Sequence, residues 1–155
     1  MTTLHLMHGF IGSGKTTFAK QLERRTGALR LSHDEWMIAF HGTNPPGDTI
    51  ARFEEQLTAL LWRWAAAELK RGRDVILDYG FWSRTTRNEM RDKATNLGVE
   101  VKLYATHTSR EDMLKRTLAR TALMPAGALV IDESAFNILW PHYQPLEADE
   151  AAVLF

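Results

Sequence analysis

The chain has no cysteine, so a disulfide framework, a thiolate metal site and a thiol nucleophile are all excluded. It has no excess of either charge: nineteen basic residues stand against nineteen acidic ones. Without a global positive field it is poorly suited to hold a long polyanion by counterion release, which disfavours nucleic acid as a partner and leaves only a local basic patch as a route to one. No apolar run approaches the ~18 residues of a spanning helix, and the N-terminal MTTLHLMHG has no basic region followed by a long apolar stretch. These absences predict a soluble, cytoplasmic chain with no membrane partner. Repeats, low-complexity tracts and linkers are absent too, and 155 residues with 45% hydrophobic content predict a single domain, 1–155, around one core.

What is present is an alternation of short apolar runs with longer helical patterns, the signature of βαβ units on a parallel sheet. Strands are expected at Leu4 to Met7, Ala28 to Ser32, Val75 to Leu77 and Val99 to Ala105, with a short edge strand possible at the end of the tail WPHYQPLEADEAAVLF. Helices are expected at Lys15 to Arg25, stopping at Gly27, and at His33 to Phe40. Ile50, Phe53, Leu57, Leu60, Leu61 and Trp64 recur at three and four residues, one stripe of a long helix over Thr49 to Arg71. Thr86 to Glu89 has capping-box spacing for a helix running to Gly98. Ser109 caps another through about Arg120, ahead of a looser stretch, Thr121 to Gly127, and a short helix at Asp132 to Leu139. His41 to Asp48 is rich in breakers and reads as a long loop that could shape a substrate pocket.

The stretch GFIGSGKT, Gly9 to Thr16, matches G-x-x-x-x-G-K-[ST] between a strand and a helix. Its glycines let successive N–H groups turn toward a phosphate, and the helix that follows adds the positive end of its dipole. Gly12, Ser13, Gly14, Lys15, Thr16 and Thr17 are the candidate phosphate cradle, with Lys15 reaching the β and γ phosphates and Thr16 ligating Mg²⁺.

Parallel strands deliver their following loops to one sheet edge. Asp34 follows the second strand and Asp78 ends the third, so both face the mouth that GFIGSGKT occupies. Asp78, behind Val75-Ile76-Leu77, has the form of a Walker B carboxylate for Mg²⁺, against a simple strand-end turn. Asp34 is placed to take the proton of an acceptor hydroxyl, against a helix N-cap in Ser32-His33-Asp34-Glu35; Glu35 is its rival as base. His8 and His33 flank the site and read as structural hydrogen-bonders.

Arg116 and Arg120 lie four apart on one helix face. Asp112 can pair with Arg116 and Glu111 with Lys115, whereas the i−4 neighbour of Arg120 is Arg116, a repulsion that an anion would relieve. Both are candidate lid arginines for the transferring phosphate. Arg84 and Arg87, near Asp78, are candidates for binding an acidic substrate or a phosphate, while Arg91 and Lys93 read as solvated. Phe81 and Trp82 are core or pocket. Trp140, Pro141, Tyr143 and Pro145 wall an adenine or pack the sheet edge; the sequence alone leaves both open.

With these residues in place, the chain resembles the small P-loop kinases of the AAA-like ATP-binding protein family, a group that includes the kinase domain of phage polynucleotide kinase, chloramphenicol phosphotransferase and, more distantly, gluconate kinase and the zeta toxins. The resemblance covers GFIGSGKTT, SHDEW, VILDYGFWSRTTR, the Arg116 to Arg120 helix and the tail QPLEADE in that order. It implies a three-layer α/β P-loop NTPase sandwich of adenylate-kinase type with a mostly parallel sheet and a helical lid near 110–130. It implies ATP with Mg²⁺, Asp34 as acceptor base, and Arg116 and Arg120 on the ATP phosphates. ATP over GTP rests on this resemblance, joined by the lack of an Asn/Thr-Lys-x-Asp run. Trp36, Met37 and Ile38 stand where polynucleotide kinases carry an arginine for a substrate phosphate, which points to a more apolar acceptor. The expected activity is transfer of the γ-phosphate to a small-molecule hydroxyl. The rival expectations are a polynucleotide 5′-hydroxyl kinase and a nucleotide-dependent switch with no acceptor.

Overall fold

In the computed structural model, which describes residues 1–123 and 128–155, five strands form one sheet. They are β1 (Thr3–His8), β2 (Leu29–Ser32), β3 (Val75–Gly80), β4 (Glu100–Ala105) and β5 (Val153–Leu154), in the order β2-β3-β1-β4-β5. Every pairing is parallel, so the sheet is wholly rather than mostly parallel. The helices are α1 (Lys15–Thr26), α2 (His33–His41), α3 (Gly47–Lys70), α4 (Arg84–Leu97), α5 (Arg110–Leu123) and α6 (Glu133–Leu139), followed by a 3-10 turn at Trp140–His142.

Alternation along the strands sorts the core into two faces. Leu4, Leu6, Val75, Leu77, Leu31 and Leu103 pack with Met37 of α2, Leu57 and Leu61 of α3 and Met90 and Ala94 of α4. Met7, Ile76 and Tyr104 pack with Ala19 and Leu22 of α1. Helices on both faces make three layers, as parallel strands buried on both sides require. A third cluster, Phe10, Met113 and Phe136 with Trp82, Trp140 and Tyr143 against it, ties α5 and α6 to the segment following β1.

Several boundaries differ from expectation. The predicted loop His41 to Asp48 shrinks to 42–46, because α2 runs through His41 and α3 begins at Gly47. Along α3, Leu57, Leu61, Ala65 and Leu69 are buried, while Phe53, Leu60 and Trp64 of the expected stripe stay 39–50% exposed. The stripe is wider than the surface available to cover it. Helix α4 starts ahead of the expected capping box: Ser83 Oγ accepts from the Thr86 N–H at 3.1 Å, so the cap sits three residues before Thr86. Helix α5 continues to Leu123, and the rest of the looser stretch, with part of the expected lid, lies outside the described residues. The tail does end in an edge strand, with β5 pairing β4 at Tyr104 and Ala105.

Candidate functional site

The loop between β1 and α1 sits at the carboxyl edge of the sheet, where ligands of open α/β folds collect. It is pinned from both sides. The Gly9 N–H donates to the Gly80 carbonyl at 3.0 Å, and Trp82 Nε1 donates to the Gly9 carbonyl at 3.2 Å. Thr106 and Thr108 hydroxyls donate to the Ser13 carbonyl at 3.1 and 3.2 Å. Within the turn the Ser13 N–H donates to the Phe10 carbonyl at 3.1 Å, so Gly12 to Thr17 are held as a closed loop at the head of α1. Gly12 and Gly14 both have positive φ, +78° and +91°. A Cβ at Gly12 would collide with the Met113 carbonyl and lie 2.6 Å from Thr117 Oγ1, so α5 packs on the bare backbone. Gly12→Ala should therefore cost about 1–2 kcal/mol through the left-handed backbone alone and push α5 off the loop. Thermal unfolding and titration with a fluorescent ATP analogue check this, with both stability and affinity expected to fall.

A cavity of about 190 Å³ opens over this turn, lined by Gly12, Ser13, Gly14, Lys15, Thr16, Thr17, Arg116 and Arg120. The structure thus brings the cradle and the two lid arginines together. The ion pairs available to α5, Asp112 with Arg116 and Glu111 with Lys115, do not form among the described residues. Asp112 instead joins the Ser109 cap, accepting from Ser109 Oγ at 3.0 Å. Arg116 is left to reach over Gly14, with Nη1 3.4 Å from Thr108 Oγ1. The Nε of Arg120 is buried without a hydrogen-bond partner, as is the Ser13 hydroxyl. Buried donors without partners are costly, and an anion in this cavity would satisfy them.

Asp78 and Thr16 lie at the floor, with Thr16 Oγ1 donating to Asp78 Oδ1 at 3.3 Å. Strand alternation puts Asp78 and Ile76 on the α1 face, and Arg30, opposite Ile76 in register, points the same way. Arg30 Nη1 donates to Asp78 Oδ2 at 3.2 Å. Burial pushes the Asp78 carboxyl above its ordinary range, against the pull of Lys15, Thr16 and Arg30 and with a small push from Asp34. Two hard oxygen donors side by side fit Mg²⁺, which takes one or two protein oxygens together with phosphate oxygens and water. Thr16 and Asp78 would hold it.

Arg30 was not signalled as functional by any motif. Its guanidinium, only 8% exposed, also donates to Glu35 at 2.6 Å and Glu23 at 3.2 Å. A charge alternating with Leu29 and Leu31 on a buried strand demands partners, and that is the signal that would have found it. The same network separates the two candidate bases. Glu35 is held by Arg30 and lies 3.8 Å from Lys20. Asp34 is exposed, with no ion pair or hydrogen bond from its side chain among the described residues, and the N-cap role belongs to Ser32, whose Oγ accepts from the Glu35 N–H at 3.4 Å.

Arg84 and Arg87 are engaged by carboxylates of the tail, which counts against the expectation that they bind an acidic substrate. Arg87 is fully buried: Nε and Nη2 donate to Glu150 at 2.8 and 2.7 Å, and Nη1 to the Phe81 carbonyl at 3.0 Å. Arg84 pairs with Glu147 and Asp149. Arg91, expected to be solvated, also reaches Glu150 at 2.9 Å. The acidic tail has taken these cations, a pairing across 59–65 residues that no local pattern reveals.

The remaining candidates make contacts within the fold. The buried His8 stacks on Tyr143 with ring centroids 5.0 Å apart and places Nδ1 3.0 Å from the Phe81 carbonyl; burial lowers its pKa and favours the neutral ring. His33 Nε2 lies 3.4 Å from the Glu54 carbonyl. Phe81 is buried, and Trp140 and Tyr143 pack on Phe10 with centroids 5.0 and 5.6 Å apart.

Comparison with known proteins agrees with this fold. No curated protein matches the chain. Among solved structures, a Chloroflexus aurantiacus protein described as a kinase is 18% identical, with TM-score 0.76, over 99% of this chain and 86% of that one. A gluconokinase from Sinorhizobium meliloti 1021 is 16% identical with TM-score 0.57, over 99% and 80%. The APS kinase of Mycobacterium tuberculosis, in complex with AMPPNP and APS, is 16% identical with TM-score 0.58, over 99% and 88%. A family model described as an AAA domain matches residues 4–134, and with its pinned GFIGSGKT loop and wholly parallel sheet the chain belongs to that family of P-loop proteins.

Proposed function

We propose that the protein is a kinase that transfers the γ-phosphate of ATP to a hydroxyl of a small molecule. The observation that carries this reading is Asp34. It is a carboxylate with no side-chain partner among the described residues, near enough to Asp78 to influence it, at the same sheet edge as a phosphate cavity overhung by two arginines. A protein that only binds and hydrolyses nucleotide has no need of that carboxylate at that place.

In this mechanism the turn Gly12 to Thr17 holds the phosphates by backbone N–H groups and the α1 dipole. Lys15, Arg116 and Arg120 offset charge on the oxygens of the transferring group. Thr16 and Asp78 would hold Mg²⁺, which would supply positive charge against the transferring phosphates. Asp34 accepts the acceptor's hydroxyl proton as its oxygen bonds to the γ-phosphorus and the bond to the bridging oxygen of ADP breaks. Arg30 joins Asp78 and Glu35 in one network, which links the floor of the phosphate cavity to the first turn of the helix bearing Asp34. The gluconokinase and APS kinase matches support a small-molecule acceptor.

Asp34→Asn is expected to lower transfer by about 10²–10⁴-fold while leaving affinity for ATP unchanged. Steady-state transfer measured beside ATP titration checks this. Undiminished transfer would remove Asp34 from the mechanism.

A further inference from the structure

We infer that the acceptor is an uncharged or cationic hydroxyl compound rather than an anionic one. This rests on the kinase reading and on the position of Asp34. An acceptor reaching Asp34 lies at the edge bounded by the β2–α2 and β3–α4 connections. To bind a carboxylate or phosphate there, the protein would need a guanidinium or ammonium with free donors.

Three arginines reach this edge, and each is already engaged. Arg30 is neutralised by Glu23, Glu35 and Asp78 with its side chain 8% exposed. Arg87 has no exposed surface and gives its donors to Glu150 and to backbone carbonyls. Arg84 spends both terminal nitrogens on the carboxylates of Asp149 and Glu147. Lys20 lies beside Glu35. Of the other cations near these elements, Arg52 and Arg63 are exposed on the side of α3 away from its buried Leu57 and Leu61. Lys15, Arg116 and Arg120 line the phosphate cavity.

Beside His33 and His41, α2 carries acids and aromatics. Asp34 is an exposed carboxylate whose side chain makes no ion pair or hydrogen bond among the described residues. Trp36 meets Trp64 edge-on at 5.9 Å, and Phe40 is 66% exposed. An anion brought to Asp34 would face like charge, while Arg30 and Lys20 nearby are turned to Glu35. An amine would face a carboxylate, and an uncharged hydroxyl compound would meet no like charge.

The test uses the wild-type chain with γ-labelled ATP and Mg²⁺ and two sets of hydroxyl acceptors. One set is anionic: gluconate, 3′-phosphorylated nucleosides and 5′-hydroxyl oligonucleotides. The other is uncharged or cationic: hexoses, nucleosides, amino sugars and aromatic alcohols. The inference predicts at least tenfold more label in the second set. Equal label, or more in the anionic set, overturns it while leaving the kinase standing. Free phosphate with no labelled product from either set overturns the kinase reading itself, and the inference with it. A second arm frees Arg84 with Glu147→Gln and Asp149→Asn, both exposed positions. Label in the anionic set is expected to rise at least threefold, and no rise would refute the argument that sequestered cations set the preference.

Discussion

Lys15→Ala should lower phosphate transfer by about a thousandfold or more, the scale set by losing a preorganised positive group aimed at developing charge in a water-poor site. Lys15 opens α1 directly after Gly14 and lines the same cavity as Arg116 and Arg120. The arginines cannot stand in for it, because they approach from α5 over the top of the loop while Lys15 rises from its floor with Thr16 and Asp78. The fold should be untouched, since Lys15 makes no ion pair or hydrogen bond from its side chain among the described residues and its removal leaves nothing unpaired. Transfer rate and thermal unfolding measured side by side check both halves: near-normal transfer would dismiss the phosphate-cradle assignment, and a large loss of stability would show that the charge serves the fold.

Arg87→Met should cost the fold about 3–5 kcal/mol, the usual penalty for leaving one partner of a buried pair uncompensated. In a domain of this size that lowers Tm by roughly 10 °C or more. Arg87 is wholly buried and Glu150 nearly so, with two hydrogen bonds joining them. Arg87 Nη1 also donates to the Phe81 and Trp82 carbonyls, and those two residues follow the strand end where Gly80 and Trp82 grip Gly9. Affinity for ATP should therefore fall together with stability. The double variant Arg87→Met with Glu150→Leu should recover only part of the loss, because the carbonyls and Arg91 remain without their partner.

The same pair carries a pH dependence. Hydrogen bonds from Arg87 hold the Glu150 carboxyl well below the usual carboxylate range, with help from the Glu147 N–H and Arg91. A group whose folded pKa is depressed contributes stability above its unfolded pKa and loses it as pH falls. Stability should thus decline on acidification below about pH 5, and Glu150→Gln should flatten that slope.

The legible part of this chain was local. The order of strands and helices, the phosphate turn and the convergence of Asp34 and Asp78 follow from period, spacing and the parallel-sheet edge, all of which are written within a dozen residues at a time. What escaped was tertiary pairing. Arg84 and Arg87 look like ligand-binding cations until Glu147, Asp149 and Glu150 arrive from the tail, and nothing near residue 84 announces a partner 65 residues away. Arg30 escaped for the converse reason: its role exists only where β2 meets β3 and α1. The α4 cap differs from expectation because Ser83 and Thr86 are both competent caps, and the chain uses Ser83.

The measurement that bears most directly on the central claim is detection of a phosphorylated hydroxyl product after incubation with γ-labelled ATP, Mg²⁺ and mixed hydroxyl acceptors, with Asp34→Asn run in parallel. The kinase account predicts label in an organic product from the wild-type chain and its near-complete loss in the variant, while both bind ATP equally. Label released only as free phosphate, at the same rate in both, would contradict it and leave a nucleotide-dependent switch.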